Sequence, residues 1–258
     1  MTRRRALAGK TLSLILLLIT IACGSAAPPP PPTGGGKTVD PATTGTLAGR
    51  AVFTGAPPAI ETLRMTTDKA CVAGAGPNPQ SDAVLIAADG GLKNVFVYVK
   101  QGLDPAYSFE VPPAPVVLDQ KGCIYTPRVL GVRVGQAIQM VNSDPTLHNV
   151  HSLPMTNSEF NLPMPKQFGK MSKVFTTPEV MVRFKCDVHA WMAAWVGVVA
   201  HPYFAVSDAS GAFKLPGLPP GTYTVEAWHE KLGKKTMQVT IGPSQAQAAS
   251  FTFTTPAK

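Results

Sequence analysis

A thiol, an imidazole and a thioether follow one another at fixed spacing in one short stretch of this chain. Cys186, His189 and Met192 form the pattern C-x2-H-x2-M, and two further imidazoles, His148 and His151, lie upstream. Two histidines, one cysteine and a weakly held axial methionine are the ligand set of a blue-copper electron-transfer site. If these side chains converge, the chain can carry one electron at a time.

The two upstream histidines compete for one position in such a site. His148 and His151 are three residues apart on a predicted strand, where successive side chains alternate between the two faces. They therefore point to opposite sides, and one of them is expected to be an ordinary surface or hydrogen-bonded histidine. The spacing alone leaves the choice open.

Short β segments separated by turn residues surround these side chains. The chain has 26 Pro and 23 Gly among 258 residues, and no window shows a helical period over twelve residues. Alternating or β-branched runs predict strands at 47–53, 95–99, 130–134, 137–141, 180–184, 195–199, 211–215, 221–228 and 236–241. We expect an all-β protein with two β-sandwiches.

Residues 117–192 resemble a cupredoxin. The motif I-Y-T-P at 124–127, followed by V-R-V-G at 132–135, is similar to the first strands of that family. The motif N-S-D at 142–144 then leads to the first ligand of the family. The segment 147–151, taken with the short C-x2-H-x2-M loop, is most similar to amicyanin-like and plastocyanin-like members.

This resemblance implies a Greek-key sandwich that binds one type 1 copper ion. It selects His148 over His151, and it implies that Asn149 ties the two ligand loops together. It also implies that His189 reaches the surface, where electrons leave. The ligands implied by the resemblance are His148, Cys186, His189 and Met192.

The C-terminal part of the chain carries a second resemblance. The pattern D-x-x-G-x-F at 208–213 and P-G-x-Y at 220–223 is similar to carboxypeptidase regulatory-like domains, which are small transthyretin-like sandwiches related to carbohydrate-binding-like folds. Residues 201–258 lack the family's first strand, which residues 46–60 and 92–100 could supply. The sandwich is then discontinuous, with a cupredoxin domain inserted. Alternatively, two domains follow each other in sequence. The expected boundaries are 46–103, 104–199 and 200–258.

The N-terminus reads as an export signal. A basic start is followed by an apolar run that is too short for an ordinary spanning helix. The sequence T-I-A-C-G around Cys23 resembles the lipobox of bacterial lipoproteins, which implies a signal peptide 1–23 and a lipidated Cys23. Plain cleavage near Ala26 or Ala27 is the alternative. Residues 24–45 form a Pro- and Gly-rich tether. We expect an exported protein, lipid-anchored to a bacterial membrane and facing the periplasm or the cell surface.

The other cysteines and the tryptophans of the loop have separate expected roles. Cys71 and Cys123 are expected to form a disulfide, because the chain is exported. Such a bridge would pin the segment after the first strands to the cupredoxin part. Trp191 is expected on a rim where a redox partner docks, whereas Trp195 is expected in the core.

The net charge and the residues that flank Cys186 restrict the classes of function that the chain can have. The formal charge is +8, but four of the 23 basic residues lie in residues 1–22, and the basic residues are scattered, so nucleic-acid binding is not expected. Multicopper oxidases need a His on each side of the Cys, and Lys185 and Asp187 stand there instead, so we expect no enzyme. The leading hypothesis is electron transfer with a cytochrome or copper protein as partner. The alternatives are an envelope module that binds glycan or protein, and copper storage or delivery.

Overall fold

The computed structural model describes residues 36–256 except 66, 67, 77, 167 and 168. The predicted signal peptide 1–23, including Cys23, and residues 24–35 of the predicted tether lie outside this range. No helix among the described residues is long and apolar enough to cross a membrane.

The predicted all-β class is confirmed, since the described residues form strands and one short helix. The elements are β1 (Gly45–Phe53), α1 (Lys69–Ala75), β2 (Phe96–Gln101), β3 (Val116–Gln120), β4 (Tyr125–Thr126), β5 (Val129–Arg133), β6 (Ala137–Asn142), β7 (His148–Leu153), β8 (Phe160–Met164), β9 (Met171–Val174), β10 (Glu179–Lys185), β11 (Ala193–Val199), β12 (Phe204–Val206), β13 (Ala212–Leu218), β14 (Gly221–His229), β15 (Gly233–Ile241) and β16 (Ala246–Phe253).

One sandwich, here called the terminal sandwich, combines strands from both ends of the described chain. Its sheets have the strand orders β13-β1-β16 and β12-β2-β14-β15. Strand β1 runs parallel to β16, and β2 lies antiparallel to β14. The alternating apolar side chains of these strands meet in one buried core that includes Leu47, Val97 and Phe251. Strands before residue 104 thus share sheets with strands after residue 203, while the domain boundaries themselves stay a prediction.

The other sandwich, here called the central sandwich, is formed by residues 116–199. Its sheets have the strand orders β5-β11-β10-β7-β8 and β4-β3-β6-β9. The core between them contains Leu118, Ile138, Phe184 and Val196, all fully buried. Cys186 and Met192 belong to the same core cluster. The candidate ligands therefore lie at one end of a packed β structure.

The two sandwiches pack on each other through aromatic side chains. Phe96 and Phe204 of the terminal sandwich stack with ring centroids 5.8 Å apart. They rest on a flat part of the central sandwich where two strands carry glycine. A Cβ added to Gly197 would lie 2.3 Å from the Phe96 ring, and one added to Gly131 would lie 2.3 Å from the Phe204 ring. The absence of side chains at these glycines allows the rings to approach the sheet.

The short helix α1 was not expected, because seven residues are too few to show a helical period. Asp68 caps it, accepting hydrogen bonds from the backbone N–H groups of Ala70 and Cys71. The helix belongs to the described residues of the segment 62–80, here called the cap, whose two ends are joined by a bridge between Thr62 and Gln80.

We predict that Gly197→Ala destabilises the protein by about 1–3 kcal/mol, because the new methyl group must displace the Phe96 ring from a packed interface. The free energy of unfolding in urea measures this. Gly169→Ala is the control, since a Cβ there meets nothing within 4 Å. Equal stability of the two variants would contradict the tight contact.

Candidate metal centre

Three neighbouring strands bring the candidate ligands to one end of the central sandwich. Strand β10 ends at Lys185, the loop 186–192 follows, and β11 begins at Ala193. Strand β7 begins at His148 and pairs antiparallel with β10, with His151 opposite Lys185. The start of one antiparallel strand lies beside the end of its neighbour. His148 therefore lies next to the loop that carries the other candidates.

The structure brings together three of the four predicted ligands within a small buried volume. One ring nitrogen from each of His148 and His189 and the sulfur of Cys186 all lie within 4.8 Å of one another. The residues are 0%, 2% and 1% exposed, respectively. The two Nδ1 atoms are 2.9 Å apart. Burial lowers the pKa of His148, which favours the neutral imidazole that a metal ion requires.

This donor set fits a metal ion. Nitrogen ligands lie about 2.0–2.1 Å from a tetrahedral Zn²⁺ ion, so two such nitrogens on one ion stand roughly 3 Å apart. The separation of the two Nδ1 atoms is of that size. A thiolate with two imidazoles is a set that suits both oxidation states of copper. The residues present therefore fit copper.

Met192 closes the loop at the end of β10. Its backbone N–H donates to the carbonyl of His189, and its carbonyl accepts from the N–H of Cys186. The side chain is buried in the same cluster as Cys186. The structure thus places Met192 in the buried cluster beside Cys186, and its role as the axial ligand stays a prediction.

Asn149 joins the first ligand strand to the loop. Its side-chain oxygen accepts from the N–H of Asp187 at 2.7 Å and lies 3.2 Å from the sulfur of Cys186. Tyr125 adds a second link, with its hydroxyl 2.5 Å from the carbonyl of Asn149 and 3.0 Å from that of Lys185. Two polar contacts therefore tie β7 to the end of β10, and the role of Tyr125 was not foreseen from sequence.

His151 lies on the other face of β7. Its ring nitrogens contact Asp187 and Glu159, at 2.9 and 2.7 Å. The contact with Glu159, followed by that with Asp187, raises the pKa of His151. Hydrogen bonds, led by Lys185, hold the pKa of Asp187 well below its usual range. His151 is thus engaged in a surface network, which is the role expected for the histidine that does not face the site.

Two carboxylates that sequence reasoning did not assign lie behind the imidazoles. Asp144 is 2.9 Å from Nε2 of His148, and Asp68 is 3.2 Å from Nε2 of His189. The hydrogen bond from Thr146, with those from the backbone of α1 and from His189, lowers the pKa of Asp68. Asp144 precedes His148 by four residues within a recognised motif. Asp68 is 121 residues from His189, so no local signal connects them.

The expectation that His189 reaches the surface is wrong. The cap folds over the imidazole, and the sulfur of Cys71 lies 3.6 Å from Nε2 of His189. The predicted disulfide between Cys71 and Cys123 is confirmed, and both half-cystines are buried. The bridge pins the cap to the segment before β4 and holds it over the site. Among the described residues Cys186 is the remaining free cysteine.

Trp191 connects the site to the surface. Its ring centroid is 5.0 Å from that of His189, and its Nε1 donates to the carbonyl of Cys123. It is half-buried and lines a cleft of about 300 Å³ together with Arg183 and Lys231. Trp195 packs against Trp228 at the interface of the two sandwiches.

The aromatic and imidazole side chains of the terminal sandwich have structural roles. Nε2 of His201 is 2.8 Å from the carbonyl of Val99. Trp228 and His229 are 9% and 1% exposed. Side chains buried to this extent offer no flat surface on which a sugar ring can stack. Trp228 and His229 are therefore not candidates for a glycan-binding site in the terminal sandwich.

Comparisons with known proteins give fold-level likenesses to copper proteins. No family model and no curated protein matches the chain. A Cu-containing nitrite reductase from Thermus scotoductus SA-01 is 24% identical with a TM-score of 0.31, and the match covers 37% of this chain and 26% of that one. A purple cupredoxin from Nitrosopumilus maritimus is 21% identical with a TM-score of 0.28, covering 32% and 98% of the two chains. An oxidized amicyanin mutant is 23% identical with a TM-score of 0.30, covering 46% and 93%. The interpretation of the site therefore rests on its own geometry.

We predict that the double variant Cys71→Ser/Cys123→Ser loses about 2–4 kcal/mol of stability, because the bridge closes a long loop in the unfolded chain. The bridge spans 52 residues. The urea unfolding midpoint measures the change. Ala73→Ser, on the exposed side of α1, is the control and keeps the bridge. An unchanged midpoint in the double variant would refute a stabilising disulfide.

Proposed function

We propose that this protein is a type 1 copper electron carrier of the bacterial cell envelope. The observation that carries the proposal is the convergence of His148, Cys186 and His189 in a buried site, with two Nδ1 atoms 2.9 Å apart. Copper, when bound, supplies one-electron chemistry by alternating between Cu(I) and Cu(II). The remaining contributions come from the protein.

The protein holds the ligand residues in one arrangement. His148 lies on a strand, Asn149 ties that strand to the loop, and Met192 closes the loop by backbone hydrogen bonds. A site that changes little between oxidation states needs little reorganisation for each electron. Burial of all three ligand residues also keeps water away from the metal position, which favours electron transfer over chemistry on a bound substrate. We therefore propose that the protein is not an enzyme.

Electron exchange requires contact between the site and a partner. Because His189 is covered by the cap, we propose that partners dock at Trp191, the half-buried ring that packs on His189. Three basic residues (Arg128, Arg183 and Lys231) and two acidic ones (Glu61 and Glu230) line the cleft beside it, so a mildly acidic patch on a cytochrome or copper protein would fit. Such encounters bury little area and dissociate quickly.

The location in the envelope rests on the sequence. The signal-like N-terminus and the lipobox-like Cys23 support export and a lipid anchor, and the disulfide supports an oxidising compartment. Copper delivery is disfavoured by the burial of the ligands, since transfer of a metal needs ligands that an acceptor can reach.

We predict that copper-loaded protein shows strong visible absorption from thiolate-to-copper charge transfer and that Cys186→Ser abolishes it. His148→Gln should also abolish it, whereas His151→Gln, three residues away, should leave it intact. Visible and paramagnetic-resonance spectra after copper reconstitution measure this. A colourless wild-type protein, or a spectrum unchanged in Cys186→Ser, would refute the proposal.

We predict that Trp191→Ala lowers the second-order rate of electron transfer to an acidic c-type cytochrome about tenfold, because loss of a central tryptophan weakens docking by more than 1 kcal/mol. Trp191→Phe should keep most of the rate. Stopped-flow absorbance measures it, with Trp228→Phe, at the sandwich interface and outside the cleft, as the control. A rate that Trp191→Ala does not change would place the docking site elsewhere.

A further inference from the structure

The cap contributes a carboxylate to the metal centre. Oδ2 of Asp68 lies 3.2 Å from Nε2 of His189. An ionised carboxylate accepts hydrogen bonds and cannot donate them, so this contact requires the proton of the imidazole on Nε2. In the neutral imidazole, the form that binds a metal, Nδ1 of His189 is then left with a lone pair, directed at His148. The contact thus selects the tautomer that a metal ligand needs.

The structure holds this carboxylate in place from several sides. Its Oδ1 accepts from the backbone N–H groups of Ala70 and Cys71, and Oδ2 accepts from the hydroxyl of Thr146 at 2.7 Å. Thr146 lies just before His148, the other candidate ligand. Asp68 therefore joins the cap, the approach to the first ligand and the imidazole of the second.

The disulfide fixes the same arrangement. Cys71 donates its N–H to Asp68, while Cys123 donates its N–H to Asp144, the residue behind His148. Each half-cystine thus supports the carboxylate of one imidazole. The cap does more than shield the site, because it carries a residue that acts on a ligand.

We propose that Asp68 is a positioning residue of the metal centre. It keeps His189 as the Nε2–H tautomer with Nδ1 turned toward His148 and Cys186. This proposal rests on the proposed copper function. A carboxylate behind a ligand imidazole makes the imidazole a stronger donor and favours the more highly charged Cu(II). Loss of the carboxylate should therefore weaken Cu(II) binding and raise the reduction potential.

The test compares Asp68→Asn with Asp187→Asn in the full chain. The two variants remove the same charge near the site, but Asp187 touches His151 and Asn149 and neither candidate ligand imidazole. We expect Asp68→Asn to raise the Cu(II) dissociation constant 10–100-fold, the usual effect of losing such a contact. We also expect a higher reduction potential than in wild type and in Asp187→Asn. Competition titration and voltammetry measure the two quantities.

Three outcomes decide between the possibilities. Copper binding and colour in wild type, with equal potentials and affinities in the two variants, would overturn the role of Asp68 and leave the copper function standing. A wild-type protein that binds no copper would overturn both. Because Asp68→Asn alters the N-cap of α1, nitrogen NMR of the histidines in the metal-free wild-type chain provides a second measurement. A proton on Nδ1 of His189 would overturn the proposal, and a proton on Nε2 supports it.

Discussion

The Nδ1 atoms of His148 and His189 lie 2.9 Å apart, and both residues are almost completely buried. Each ring has a carboxylate at its other nitrogen, Nε2, which favours the tautomers that leave the lone pairs on the facing Nδ1 atoms. Buried acceptors without a partner cost about 1–3 kcal/mol each. A metal ion bound by both nitrogens would remove that cost, and the thiol of Cys186 lies close enough to bind the same ion. This arrangement of lone pairs is the constraint around which the loop, the cap and the disulfide are organised.

The cap buries the site more deeply than the ligand loop alone would. A short helix, capped by Asp68 and pinned by the Cys71–Cys123 bridge, covers the imidazole of His189. The covered edge cannot meet a partner directly. Trp191 packs on the same imidazole and reaches a cleft at the surface, where we propose that a partner docks. In the proposed electron carrier, different residues would therefore serve to bury the metal and to give electrons access to it.

Rigidity extends beyond the central sandwich. The aromatic rings of Phe96 and Phe204 pack on strands β5 and β11 where glycine leaves the sheet bare. Arg128 adds charged contacts across the same region, to Asp82 and Glu230. Strand β11 begins directly after Met192, so its fixation by the terminal sandwich also restrains one end of the ligand loop. Strands drawn from both ends of the described chain thereby support a site in its middle.

The sequence by itself determined the strands and the identity of the chemistry-bearing residues. Alternating apolar patterns marked nine of the strands, and the spacing C-x2-H-x2-M marked the loop, because both signals are local. The pairing of Cys71 with Cys123 also followed from the small number of cysteines in a chain predicted to be exported. The short helix, the burial of His189 and the contact with Asp68 followed only from tertiary structure. The helix is too short to show a period in the sequence. The burial of His189 and its contact with Asp68 join residues more than one hundred positions apart, and no periodicity or spacing records which distant segment folds over which. Side-chain type thus determines what a residue can bind, and the fold decides which neighbours hold it and whether solvent can reach it.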